Sequence, residues 1–126
     1  MTDDVRARVE SELARISIPT LLVFNPDAVI YTGLPSTITA SPMDVMVLVP
    51  TGYPQTMLDL AFLPSGSPLL GVLKGQPQQN LSAGGRTWTQ VSYHPHTNGG
   101  APPWDPTRHG FHTYIDEVLS WISVRR

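Results

Sequence analysis

The stretch SYHPHTNGGAPPW, residues 92–104, connects the two most strongly patterned segments of the chain. A strand-like run, residues 87–93, leads into it, and a helical pattern over residues 110–123 follows it. All four histidines of the protein lie between residues 94 and 112. Because a neutral imidazole both donates and accepts hydrogen bonds and titrates near neutrality, we expect any chemistry of this protein on this connection.

Residues 110–123 contain the clearest predicted element, an amphipathic helix. Its apolar side chains recur at spacings of three and four residues, as on one helix face. They are Phe111, Tyr114, Ile115, Val118, Leu119 and Ile122. Trp121 falls outside this stripe, so we expect it to be partly exposed and to serve as an anchor for a partner.

The first half of the chain predicts another helix and then strands. Residues 2–15 place Val5, Val9 and Leu13 on one helix face. Four β-rich runs follow, separated by turn residues, and they cover residues 21–24, 29–32, 44–49 and 57–63. Since no helical pattern separates these runs, they predict an antiparallel meander.

The region before the strand-like run has a weaker pattern. Residues 74–85 are rich in Gly, Pro, Ser and Gln, and we expect them to form a mobile surface connection. The whole chain, residues 1–126, has the length of one domain. The sequence thus predicts a single α+β domain with an N-terminal helix, a four-stranded antiparallel meander and a C-terminal helix or helices.

Composition excludes several classes of function. Eight Lys and Arg face ten Asp and Glu without a basic stripe, which argues against binding to nucleic acid. No apolar run approaches the roughly 20 residues of a bilayer span, so we expect no membrane association. The opening MTDDVRARVE lacks the apolar core of a secretory signal, and we expect a cytoplasmic location. Cysteine is absent, which excludes disulfides, thiolate metal sites and thioesters on this chain.

Several short motifs occur in a recognisable order. They are Pro50, Tyr53 and Pro54 in VPTGYP, Gly85, Arg86 and Trp88 in GRTW, His94-Pro95, Trp104 and Pro106, and the helix over residues 114–122. This order resembles the ubiquitin-conjugating E2 superfamily, and most closely its cysteine-poor bacterial branch, prokaryotic E2 family E. The resemblance implies a UBC-like (E2/RWD) fold and a role near ubiquitin-like protein modification.

The connection also departs from the pattern of a working E2. Such an enzyme carries a cysteine between its His-Pro-Asn turn and its tryptophan, and the asparagine of the turn helps to hold the oxyanion. Here His96 takes the place of the asparagine, and Ala101, Pro102 and Pro103 occupy a shortened loop without a nucleophile. The resemblance therefore implies non-covalent binding of a ubiquitin-like protein or an E1-like adenylating enzyme, with a JAB-type metallopeptidase in the same pathway and no cofactor.

Candidate site residues follow from the motifs and the histidines. The candidates for catalysis are His94, His96 and His109, and the candidates for binding are Tyr53, Pro54, Trp104, His112 and Trp121. We expect His94, in its His-Pro turn, to pin the loop through hydrogen bonds to the backbone. Tyr53 next to Pro54 predicts a locked turn more strongly than a binding patch.

Two alternatives remain open from the sequence. In the first, the protein is a histidine-dependent enzyme. His94, His96, His109 and His112 would bind zinc with Asp105 as a ligand or as an orienting group, or a histidine would activate an oxygen nucleophile such as Ser92. In the second, the chain is an RWD-type scaffolding module with no link to ubiquitin-like proteins.

Overall fold

A computed structural model describes residues 1–96 and 101–125 of the chain. A six-stranded antiparallel sheet lies between an N-terminal helix, α1 (Asp3–Leu13), and a C-terminal helix, α2 (Phe111–Trp121), in chain order. The strands are β1 (Thr20–Val23), β2 (Ala28–Leu34), β3 (Met43–Leu48), β4 (Ala61–Pro64), β5 (Pro77–Ala83) and β6 (Arg86–Val91). The order across the sheet is β1-β2-β3-β4-β6-β5. The predicted α+β architecture and both helices are confirmed.

The predicted number of four strands is wrong, chiefly because of residues 74–85. Instead of a mobile connection, Pro77–Ala83 forms an edge strand that pairs with β6 through a tight turn at Gly84 and Gly85. Most side chains of this strand are exposed. An edge strand that buries few side chains is held by backbone hydrogen bonds, so its sequence shows no apolar alternation.

The run at residues 57–63 is a strand only at its end. The observed strand β4 begins at Ala61, because Leu60 adopts a left-handed backbone with φ of 65°. The Leu60 N–H donates instead to the carbonyl oxygen of Tyr93, 2.7 Å away. This contact places the start of β4 beside the chain that leaves β6.

The sheet buries side chains on both of its faces. On one face Val29 and Tyr31 belong to the main core beneath the two helices, whereas Ala28 and Ile30 belong to a smaller cluster on the other face. The buried Trp88 centres this second cluster, and its indole N–H donates to the Ala83 carbonyl oxygen at 3.0 Å. Burial on both faces explains why β2 and β3 read as nearly continuous apolar runs.

Helix α2 is attached to the sheet by two buried tyrosines. The Tyr31 hydroxyl donates to the Phe111 carbonyl oxygen at 2.8 Å, and the Tyr114 hydroxyl donates to the Leu60 carbonyl oxygen at 3.0 Å. These bonds set the position of α2 over the sheet, and with it the connection that precedes the helix. No helix within the described residues has the length and apolarity needed to cross a bilayer.

Candidate functional site

The connection between β6 and α2 folds so that His96, Trp104 and His109 lie against one another. We call these three residues the aromatic cluster. The centroid of the His96 ring lies 5.2 Å from that of Trp104 and 5.1 Å from that of His109, and the Trp104 and His109 centroids are 5.6 Å apart. The structure thus brings together three of the predicted site residues; residues 97–100 of the same connection lie outside the described part.

The aromatic cluster is supported by the turn after β3. The Trp104 indole N–H donates to the Pro54 carbonyl oxygen at 2.8 Å, and the Tyr53 ring lies 6.2 Å from that of Trp104. The Tyr53–Pro54 peptide bond is cis, and Tyr53 is buried. Tyr53 therefore supports the cluster from inside the protein, and a direct binding role for Tyr53 and Pro54 remains a prediction.

Hydrogen bonds assign the proton of each imidazole in the aromatic cluster. His96 Nδ1 lies 2.7 Å from the Pro102 carbonyl oxygen, which only accepts, so this nitrogen is the donor. His109 Nδ1 accepts from the Asp105 N–H at 2.8 Å, so the proton of its neutral ring is on Nε2. In neutral rings, Nε2 of His96 is therefore an acceptor and Nε2 of His109 carries the proton.

The bare nitrogen of His96 is the unusual polar atom of this site. It is buried and has no hydrogen-bond partner within residues 1–96 and 101–125. His96 and His109 line a pocket of about 260 Å³ together with Arg108, Asp116 and Glu117. A buried acceptor without a partner is costly unless a ligand or water satisfies it. The pocket therefore suits a ligand that brings a hydrogen-bond donor.

His94 lies apart from the aromatic cluster. Its Nδ1 is 2.8 Å from an Asp59 carboxylate oxygen, and both side chains are partly exposed. The predicted pinning of the loop is thus made through a carboxylate and not through the backbone. The Ser92 hydroxyl accepts from the Gln76 N–H at 2.9 Å and binds no histidine within the described residues. An oxygen nucleophile at Ser92 therefore has no base at hand.

The histidines do not assemble into a metal site. Among residues 1–96 and 101–125, no three His, Asp or Glu side chains are arranged to hold a metal ion. His94 pairs with Asp59, and His112 lines a different pocket from His96 and His109. The Asp105 carboxylate accepts hydrogen bonds from Thr107 and orients no imidazole. The hypothesis of a four-histidine zinc site finds no support in the described residues.

The predicted exposure of Trp121 is wrong. Only 5% of this residue is exposed, and its indole N–H donates to the Lys74 carbonyl oxygen at 2.7 Å. Its ring also stacks on Tyr93 with a centroid distance of 4.7 Å. Trp121 is covered by the loop that carries Lys74 and by the chain that follows β6. The apolar pattern of the helix sequence does not show that these segments pack there. Its role as a binding anchor remains a prediction.

Sequence reasoning missed the buried carboxylate of Glu12, which joins α1 to the site. Glu12 Oε1 accepts from the Tyr53 hydroxyl at 2.6 Å and from the Phe111 N–H at 3.0 Å, and Oε2 accepts from Arg8 Nε at 2.7 Å. Arg8 also donates to the carbonyl oxygens of Pro106 and His109, at 2.7 and 3.0 Å. One ion pair thus holds α1, the turn of Tyr53 and the start of α2.

The sequence carries only a partial signal for this ion pair. Arg8 and Glu12 are four residues apart on α1, a spacing that favours a surface ion pair. Nothing in that spacing indicates that Glu12 is buried at 5% exposure or that it caps α2 from a distance of about a hundred residues along the chain. The position of Glu12, three residues after Val9 on the apolar helix face, was the one sequence feature that indicated its burial.

Gly110 leaves the space that the Glu12 carboxylate occupies. A Cβ at this position would lie within 2.6 Å of both carboxylate oxygens. We expect Gly110→Ala to lower the free energy of unfolding by about 1–3 kcal/mol, because the methyl group must displace a carboxylate held by three hydrogen bonds. Chemical denaturation measures this change.

The control for Gly110→Ala is the same substitution in a Glu12→Ala background. Without the carboxylate the added methyl group has room, so we expect most of the cost of Gly110→Ala to disappear. An equal cost in both backgrounds would show that the glycine is required for another reason.

Comparison with known proteins gives one finding. The sequence model of the family described as Prokaryotic E2 family E matches residues 26–125. This range contains the whole sheet apart from β1, both sides of the site connection, and α2. Among curated proteins and solved structures, nothing matches the chain significantly.

Proposed function

The chain belongs to prokaryotic E2 family E, and from this premise we propose that it acts in a bacterial ubiquitin-like conjugation system. In this proposal it binds a ubiquitin-like protein or an E1-like adenylating enzyme non-covalently, in a pathway that also contains a JAB-type metallopeptidase. The 126 residues contain no cysteine, so no thioester forms on this chain. Its contribution is a binding surface.

The observation that carries this proposal is the bare Nε2 of His96. This nitrogen is buried without a hydrogen-bond partner in the described residues, and His96 lies on the connection where a working E2 of similar sequence has its thiol and lines the pocket there. An E2-like protein that has lost its thiol and keeps a buried acceptor at that place is suited to hold a chain segment there.

The described residues on both sides of the connection are held by hydrogen bonds and have little freedom to lose when a partner binds. The Ala101 N–H donates to the Pro95 carbonyl oxygen at 3.1 Å, and His96 and Trp104 are each hydrogen-bonded to backbone carbonyl oxygens. Preorganised groups avoid part of the entropic cost of association. The bonds that hold His96, Ala101 and Trp104 therefore favour binding over a role as a passive surface.

The pocket chemistry fits an extended polypeptide tail. Backbone N–H groups of such a tail are donors for His96 Nε2, and Asp116 and Glu117, which line the same pocket, attract a basic side chain. The C-terminal tail of a ubiquitin-like protein has this extended, donor-rich backbone. We therefore place the tail of the partner at His96.

The test is binding of a bacterial ubiquitin-like protein, measured by calorimetry. We expect His96→Ala to weaken binding by at least about tenfold, because it removes a hydrogen bond to a buried acceptor. The matched control is His94→Ala, which changes the same residue type outside the aromatic cluster and is expected to have less than about a threefold effect. Undiminished binding by a folded His96→Ala variant would contradict the proposed site.

A further inference from the structure

A second pocket lies between the C-terminal half of α1 and the start of α2. Its volume is about 500 Å³, and the guanidinium groups of Arg8, Arg15 and Arg108 line it. These are three of only eight Lys and Arg residues in a chain whose net charge is −2. We call this the arginine pocket. Such a concentration of cations in an acidic protein calls for a counter-charge.

Two of the three guanidinium groups are available to a ligand. Arg8 is bound to Glu12 and to two backbone carbonyl oxygens. Within residues 1–96 and 101–125, the exposed side chains of Arg15 and Arg108 form no ion pair or hydrogen bond. The Asp105 carboxylate accepts hydrogen bonds from Thr107 and attracts Arg108 electrostatically, but it forms no ion pair with Arg108.

The acidic group of the pocket does not neutralise it. Glu12 is the acidic residue of the lining, and both of its carboxylate oxygens already accept hydrogen bonds. Three guanidinium groups against one carboxylate leave two positive charges. Asp116 lies with Arg15 and His112 along an adjoining groove but forms no ion pair within the described residues.

His112 also lies beside these arginines. This residue lines the pocket, and its Nδ1 is buried without a hydrogen-bond partner in the described residues. Partial burial, followed by repulsion from the Arg15 guanidinium, lowers the pKa of His112 below its usual value. An anion bound between Arg15 and Arg108 would relieve this repulsion.

We propose that the arginine pocket binds a tetrahedral dianion, namely a phosphoryl group of a small molecule or free inorganic phosphate. Two free guanidinium forks match the oxygens of a phosphoryl group, and its two negative charges match the net charge of the pocket. A carboxylate carries one charge and occupies one fork. The volume leaves room for a small organic group on the phosphate. This site is separate from the proposed function and does not depend on it.

The experiment titrates the full chain with inorganic phosphate, a nucleoside monophosphate and acetate at constant ionic strength, followed by nuclear magnetic resonance shifts of residues lining the pocket. We expect both phosphate compounds to shift these signals and acetate to bind at least about tenfold more weakly. A tighter nucleoside monophosphate identifies a small organic phosphate as the ligand, and equal affinities identify free phosphate. Acetate that binds as tightly as phosphate would overturn the proposal.

Substitutions locate the site. We expect Arg15→Ala and Arg108→Ala each to weaken phosphate binding by about tenfold or more, because each removes a hydrogen-bonded charge. Arg6→Ala is the matched control, since Arg6 lies on the same helix, pairs with Glu10 and does not line the pocket. Arg8 is left intact because it supports the fold. Equal losses in all three variants, or no loss in the first two, would overturn the proposal.

Discussion

Replacing Glu12 with alanine is expected to lower the free energy of unfolding by about 2–4 kcal/mol, because it leaves two buried donors and one partly exposed charge without their partner. The Arg8 guanidinium loses its carboxylate, and the Tyr53 hydroxyl and the Phe111 N–H lose their acceptor. These groups belong to three separate parts of the fold. Denaturant unfolding followed by circular dichroism measures the loss.

Two further variants separate the causes of this loss. Glu10→Ala removes the exposed partner of Arg6 on the same helix and is expected to cost less than about 1 kcal/mol. Glu12→Gln keeps an acceptor oxygen for Tyr53 and Phe111 but removes the charge that binds Arg8, so we expect an intermediate loss. Similar losses for Glu10→Ala and Glu12→Ala would show that helix propensity, and not the buried ion pair, is responsible.

Alkaline pH is expected to unfold this protein at about pH 11–12, because every tyrosine must stay protonated in the native state. Burial is the main cause that raises the pKa of each of the four. They are Tyr31, Tyr53, Tyr93 and Tyr114. For Tyr53 the hydrogen bond to the Glu12 carboxylate raises the pKa further.

The sign of this effect follows from proton linkage. Above the usual tyrosine pKa of about 10, the unfolded chain releases phenolic protons that the native state retains. The stabilisation is therefore complete below about pH 10. Above this pH, each buried tyrosine lowers the free energy of unfolding by about 1.4 kcal/mol per pH unit. Unfolding free energies at a series of pH values above 9 give the slope.

A tyrosine substitution provides the control for the alkaline slope. Tyr114→Phe removes one titrating group, and we expect it to reduce the slope by about one quarter while also costing the hydrogen bond to the Leu60 carbonyl oxygen. An unfolding free energy that stays constant up to pH 12 would contradict the burial of these hydroxyl groups.

The two proposed binding pockets adjoin at the connection before α2. His96 and His109 face one pocket, His112 faces the other, and Arg108 lines both. A partner tail at His96 and a phosphoryl group at Arg15 would thus be neighbours. Binding studies with each ligand alone distinguish the two proposals.

Much of the fold was predictable from local pattern. Helix α2 lies within the predicted residues 110–123, because apolar side chains at spacings of three and four specify a helix face without reference to distant residues. The edge strand β5 was missed for the converse reason. Its polar residues are held by backbone hydrogen bonds to β6, and such bonds do not require any particular pattern of side chains.

The candidate site was predictable in part. The clustering of histidines in the sequence predicted a site on this connection, and His96, Trp104 and His109 are in contact there. Their protonation was not predictable, because it depends on which backbone groups face each nitrogen. The separation of His94 from the aromatic cluster was not predictable either, because it follows from the bond of His94 to Asp59.

The sequence by itself determined the two helices, the α+β class, the family and the absence of a thiol, since each of these depends on residue types and their spacing along the chain. Only the tertiary structure decided that Glu12 is buried against Gly110, that Trp121 is covered, and that three arginines line one pocket. These features arise where segments far apart in sequence come into contact, so residue types and their spacing along the chain do not determine them.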